Sequence, residues 1–278
     1  MKTIGVFDSG FGGLTVLREL LPLIPNARYI YLGDTARLPY GSKSRETIAR
    51  YAVSSARFLA DQGADLLVIA CNTATALALD DIKATLPLPV VGVVEPGAQS
   101  ALAAAIGSPA AAAGSHVLVL ATAATTQSGA YTRTLNSLGL RATEKACPLL
   151  VPLVEEGWLD QSAHASVTLD VLRIYLLEAL EQAPDANVLL LGCTHYPLLK
   201  PLIETTLKNL HHPMRVIDSA EATARAVAAL APAPDSSTAP SSPDCIFYAT
   251  DSIEKFQRLG SAFLRQPVPS VQLVDLGG

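Results

Sequence analysis

Short apolar runs recur along the chain, and each ends in small or polar residues that lead into a stretch with helical spacing. IGVF (4–7), YIYL (29–32), LLVIA (66–70) and VVGVV (90–94) open the series. HVLVLA (116–121), VLLLG (188–192), RVI (215–217), IFYA (246–249) and SVQLV (270–274) continue it. Continuous apolar runs of this length, bounded by turn residues, predict strands covered on both faces. Between them, Ile48, Tyr51, Ala52, Ala56 and Leu59 repeat at helical spacing with charges opposite, which predicts a helix over 44–62. Helices are likewise expected over 98–107 and 162–182, and the run after Pro89 is expected to stay extended as far as Glu95. Strand–helix alternation of this kind predicts α/β architecture with parallel sheets.

The pattern runs once and then restarts near Ala98. LLVIACNTATA (66–76) and LLLGCTHYPLL (189–199) are two versions of one arrangement, an apolar run, a cysteine, then small polar residues opening a helical turn. The expected fold is two pseudo-symmetric doubly wound parallel-sheet domains with the active site in the cleft between them. The first lobe takes residues 1–95 and is completed by 210–278; the second takes 96–209. PAPDSSTAPSSPD (232–244) reads as a disordered surface excursion. Ligands of open α/β sheets bind at the carboxyl ends of the strands, where Cys71 and Cys193 fall.

Composition narrows the classes. Half of the 278 residues are hydrophobic but 5% are aromatic, so Ala, Leu and Val must carry the core. The net charge is −5 with no Lys/Arg cluster, which argues against nucleic acid and anionic membranes as partners. The Ala-rich stretch 101–124 is interrupted by Gly107, Pro109, Gly114, Ser115 and His116 and is rejected as a membrane span. MKTIGVFDSG reads as strand and glycine turn, not as a secretion signal, so a reducing cytoplasm is expected.

The default for a buried cysteine is an inert small hydrophobe, and Cys147 and Cys245 are given that reading. Cys71 and Cys193 support another. A helix N-terminus behind each thiol is expected to lower its pKa from about 8.5 toward neutrality. One thiolate and one thiol on opposite faces of a carbon could remove a proton and return one from behind, inverting the centre. Asp8 and Ser9 follow the first strand; they either cap a turn or face the ligand, with Asp8 able to assist Cys71. His195 could relay protons for Cys193 and Glu155 could orient His195, although Glu155 and Glu156 could equally be a solvated helix start. Tyr40, after the second strand, is either a surface aromatic or a lid residue. No lysine is accompanied by a phosphate-binding glycine loop, so the site reads as cofactor-free, with Ser9, Asn72, Thr73, Thr194 and backbone N–H groups left to hold a substrate carboxylate. A Cys-x-His pair alone is too little for zinc. His116, His164, His211 and His212 suggest no partners.

The motifs GVFDSGFGGLTV, LGDTARLPYG, ACNTATA, the TxxTxxSxxY of residues 122–131, CPLLVPLVEEG and LGCTHYPLL stand in that order over nearly the whole chain. Together they resemble the aspartate/glutamate racemase superfamily, and within it the glutamate racemases. The resemblance implies cofactor-independent interconversion of L- and D-glutamate, with D-glutamate going to peptidoglycan. It implies Cys71 and Cys193 as the two bases, Asp8 assisting the first, and Glu155 with His195 assisting the second. Substrate contacts are implied at Asp8, Ser9, Tyr40, Gly41, Asn72, Thr73, Thr122, Thr125, Thr194 and His195. Family members are often homodimers. An aspartate or broad-specificity racemase is the alternative within the superfamily, and a two-lobed binding protein the alternative outside it. The inserts PAAAAGS and the Pro/Ser run depart from the family pattern.

Overall fold

The computed structural model describes residues 2–106, 115–230 and 244–277; most of the PAAAAGS insert and of the Pro/Ser run lies outside the described residues. The chain divides into two compact units, Met1–Val93 with Ala220–Gly278, and Val94–Ser219.

In the first unit, β1 (Thr3–Asp8), α1 (Leu14–Leu23), β2 (Arg28–Gly33), α2 (Arg45–Asp61), β3 (Leu66–Ile69), α3 (Asn72–Thr85) and β4 (Val90–Gly92) follow one another. In the second come α4 (Val94–Ile106), β5 (His116–Ala121), α5 (Ala123–Ser128), α6 (Ala130–Ser137), β6 (Arg141–Ala146), α7 (Leu150–Glu155), α8 (Ala165–Gln182), β7 (Ala186–Gly192), α9 (Lys200–Asn209) and β8 (Arg215–Asp218). The chain then returns to the first unit through α10 (Ser219–Leu230), β9 (Asp244–Ala249), α11 (Ile253–Leu264) and β10 (Gln272–Leu273).

Both sheets are parallel. The first has the order β10-β9-β2-β1-β3-β4 and the second β6-β5-β7-β8. The second sheet therefore repeats the 2-1-3-4 order of the first four strands, and the restart in the sequence is a repeat of topology. Central strands are buried along their length, as in β3 and β5, whereas edge strand β6 is only half-buried. In the first unit, alternate residues of each strand serve opposite faces. Gly5 of β1 lies against Leu59 of α2, and Phe7 against Tyr40. Tyr31 of β2 packs against Phe256 of α11, which also meets Phe11 ahead of α1. In the second unit, α4 and α6 pack together, and α7, α8 and α9 form a second group.

Two boundaries differ from the sequence reading. β4 stops at Gly92, and Glu95 lies in the first turn of α4, because a proline at the third position of a helix gives up only an N–H that has no partner within the helix. The return to the first unit comes after Ser219 and not at 210, because β8 hydrogen-bonds to β7 in the second sheet.

Candidate active site

In a sheet of order 2-1-3 the strand order reverses between β1 and β3, and a crevice opens at their carboxyl ends. Asp8 ends β1 and Cys71 follows β3 by two residues, so the topology sets them side by side. Asp8 is fully buried, and its Oδ2 accepts the Gly10 N–H at 2.8 Å. Gly13 permits this: a Cβ there would lie 2.5 Å from Asp8 Cβ, so no side chain fits where the entry to α1 crosses the carboxylate. Cys71 caps α3, and its sulfur accepts the Ala74 N–H at 3.4 Å and lies 3.5 Å from Ser9 Oγ. Asn72 and Thr73, in the first turn of α3, are buried beside it.

These contacts do not lower the Cys71 pKa overall. Burial, and then the Asp8 carboxylate, push it up to about 11, against smaller lowering contributions from Ser9 and the Ala74 N–H. The helix terminus acts in the expected direction, but loss of hydration and a neighbouring negative charge outweigh it. Cys71 is therefore a thiol at neutral pH.

Asp34 directly follows the neighbouring strand β2 and is fully buried. It is ion-paired to Arg37 at 2.7 Å and accepts hydrogen bonds from the Tyr40 phenol and, at 3.0 Å, from Thr250 Oγ1. The Arg37 guanidinium lies over the Tyr51 ring and reaches Ser55. Tyr40 is accordingly buried, neither a surface aromatic nor an open lid, and its hydroxyl is committed to Asp34. Sequence reasoning missed Asp34 and Arg37, though both stand in LGDTARLPYG; the signal was an acid at a strand end with an arginine three residues on. Asp34→Ala leaves the Arg37 charge buried, so a stability loss of about 3–5 kcal/mol is expected in urea unfolding. An unchanged midpoint would show that the pair bears no structural load.

In the second unit Cys193 follows β7, the strand that corresponds to β3. What comes next is not an α-helix but the tighter 3-10 turn Tyr196–Leu199, which leads into α9. Cys193 Sγ lies 4.0 Å from His195 Nδ1, and His195 Nε2 lies 3.3 Å from Glu155 Oε1. Cys193, Thr194 and His195 are buried, while Glu155 ends α7 and Glu156 is exposed. Thr122 follows β5, the counterpart of β1, and caps α5, with its Oγ1 3.0 Å from that of Thr125. Cys147 follows β6, the counterpart of β2; it is buried, its pKa is pushed up by burial to about 12, and its carbonyl accepts the Tyr196 phenol at 3.0 Å.

His116 does have partners, Asp185 at 2.8 Å and Thr143 at 2.9 Å, but at the amino edge of the second sheet, away from the strand ends that carry Cys193 and Thr122. His164 stacks near Trp158, and His212 meets the Ala186 carbonyl. Among the described residues no three His, Cys, Asp or Glu side chains gather as a metal site, and no helix is long and apolar enough to cross a membrane.

The chain as a whole is similar to known proteins. The chain is 51% identical to a glutamate racemase of Koribacter versatilis (strain Ellin345), over 99% of this chain and 98% of that one. It is 45% identical to a glutamate racemase of Aquifex aeolicus (strain VF5), over 81% of each. The crystal structure of glutamate racemase from Francisella tularensis in complex with D-glutamate superposes with a TM-score of 0.84 at 32% identity, covering 99% of this chain and 98% of that one. The sequence pattern of the Asp/Glu/Hydantoin racemase family matches residues 12–227, and the chain belongs to that family.

Proposed function

We propose that the protein is a glutamate racemase that works without a cofactor, with Cys71 and Cys193 as its two bases. One observation carries this reading. Each unit, built on the same 2-1-3-4 strand order, carries a thiol just beyond its third strand with polar side chains beside it, Asp8 and Ser9 in one, His195 and Glu155 in the other. The relatives named glutamate racemase, similar over almost the full length, point the same way.

In the proposed reaction one sulfur, as thiolate, takes the α-proton and becomes a thiol. The electron pair left on the α-carbon is delocalised into the substrate carboxylate. The other thiol then delivers its proton to the opposite face and is left as thiolate. Racemisation is reversible, so the two thiols exchange roles with direction. Because Cys71 rests as a thiol, the buried Asp8 carboxylate serves as the place where its proton is held when Cys71 must act as base. The His195–Glu155 pair does the corresponding work for Cys193.

Ser9, Asn72, Thr73, Thr122, Thr125, Thr194 and His195 hold the substrate, and Tyr40 and Gly41 contribute backbone groups, since the Tyr40 phenol is occupied. Donors aimed at the substrate carboxylate stabilise the charge that grows there as the proton leaves. In this reading the D-glutamate formed supplies peptidoglycan in the cytoplasm. The test is circular dichroism of L-glutamate with the purified protein and no additive. The signal is expected to decay to zero, and the α-position to take up deuterium in heavy water. A constant signal with no deuterium uptake overturns the proposal.

A further inference from the structure

Two buried side chains outside the set just named tie each cysteine loop to the residue where the chain leaves that unit. In the first unit this is Thr75, one helical turn beyond Cys71. Its Oγ1 donates to the Ile69 carbonyl at 2.9 Å, two residues before Cys71, and accepts the Val93 N–H at 3.4 Å. Val93 is the last residue of that stretch of the unit. The fit is close, since a Cβ on Gly92 would lie 2.5 Å from Thr75 Cγ2. In the second unit it is Tyr131, which is fully buried. Its ring lies against Gly192, one residue before Cys193, where a Cβ would come within 3.0 Å of Cε2. Its phenol is hydrogen-bonded to the side chain of Ser219, the last residue of the second unit. Gly97, near the start of that unit, faces both Ser219 and Tyr131: a Cβ there would stand 3.2 Å from Ser219 Cβ and 3.7 Å from the Tyr131 ring.

The two arrangements use different residues and different chemistry, yet they join equivalent points: the end of the third strand and the exit of the chain. We infer that Thr75 and Tyr131 are positioning residues, Thr75 for the Cys71 thiol and Tyr131 for the Cys193 thiol. This rests on the two-base reading. An error of about 1 Å in a reacting group can cost two orders of magnitude in rate, so a strand end that carries a base has to be braced.

The full chain is tested with Thr75→Val, which keeps the shape and loses the hydroxyl, and with Tyr131→Phe, which keeps the ring. The first readout needs no turnover: iodoacetamide labelling of each cysteine, followed by mass spectrometry. Thr75→Val is expected to change the labelling rate of Cys71 several-fold and leave Cys193 alone, and Tyr131→Phe to do the reverse. The second readout is kinetic. Each variant is expected to lower kcat about tenfold, and to raise the α-deuterium isotope effect with one enantiomer, a different one for each variant. Thr75→Ser, which restores the hydroxyl, should recover the parent values. Labelling that is unchanged, or changed equally at both cysteines in both variants, overturns the assignment even where the parent enzyme racemises glutamate. A parent that fails to racemise, with labelling selective as expected, removes the glutamate reading and leaves the bracing in place.

Discussion

Cys71→Ala and Cys193→Ala are each expected to reduce racemisation by at least about a thousandfold, in both directions. Positioned acid–base groups contribute roughly 10²–10⁴ each, and here one residue is asked to be acid in one direction and base in the other. In the proposed two-base reaction, microscopic reversibility makes both thiols necessary to each full conversion, so neither variant should favour an enantiomer in net turnover. Exchange of the α-proton with solvent separates the half-reactions. A variant that keeps one competent base can still lift and return the proton on that face, so Cys→Ser variants should exchange one enantiomer and not the other, and the two variants should choose opposite enantiomers. The fold should survive, because alanine removes a single small group from sites that are 5% and 7% exposed, a change of about 1 kcal/mol by area. Far-ultraviolet circular dichroism and a thermal melt verify that point. A variant that is folded and fully active removes the two-base scheme.

Much of this arrangement was legible in the chain itself, and for a physical reason. Parallel strands buried on both faces must be apolar throughout, so β3, β5 and β7 stand out as unbroken runs, and the residue after each run must fall at the carboxyl edge. The apolar pattern alone therefore sets Cys71, Thr122 and Cys193 at that edge. The repeat of 2-1-3-4 order follows from the restart of the same pattern. What the pattern did not carry was anything decided by neighbours remote in sequence. The Cys71 pKa is an instance. The adjacent helix terminus can be read locally, but the burial and the Asp8 charge that outweigh it come from packing sixty residues away in the chain. Asp34 is another: its partners Arg37 and Tyr40 are local, but Thr250 comes from just beyond β9, paired with β2 across most of the sequence. The early end of β4 and the late return after Ser219 were missed because an apolar run does not announce which sheet its edge strand joins or where it bends into a helix.

Asp8→Asn is expected to slow turnover by about 10²–10³ while making the Cys71 sulfur more reactive, and the opposition of the two effects is the point of the experiment. Asparagine keeps the side-chain oxygen that accepts the Gly10 N–H, at the same fully buried position, so the local geometry has every reason to persist. What it removes is a negative charge that disfavours thiolate and, in the proposed reaction, the base that accepts the Cys71 proton. Losing the charge lowers the Cys71 pKa from its value of about 11, so alkylation of Cys71 near pH 8 should quicken. Losing the base removes the store for the Cys71 proton, so turnover should fall, most steeply with the enantiomer whose α-proton Cys71 must take. The same shift bears on stability. The folded-state pKa of Cys71 is raised above that of a free thiol, so its neutral form contributes stability that is complete below the free-thiol pKa and lost as pH rises toward about 11. In Asp8→Asn that alkaline loss should shrink, since the gap between the two pKa values narrows; chemical unfolding at pH 8 and pH 10 measures it. Faster alkylation with unchanged turnover would leave Asp8 as a neighbour that tunes Cys71 but takes no proton. Slower alkylation would show that the carboxylate favours the thiolate, which contradicts the electrostatics on which its role is argued.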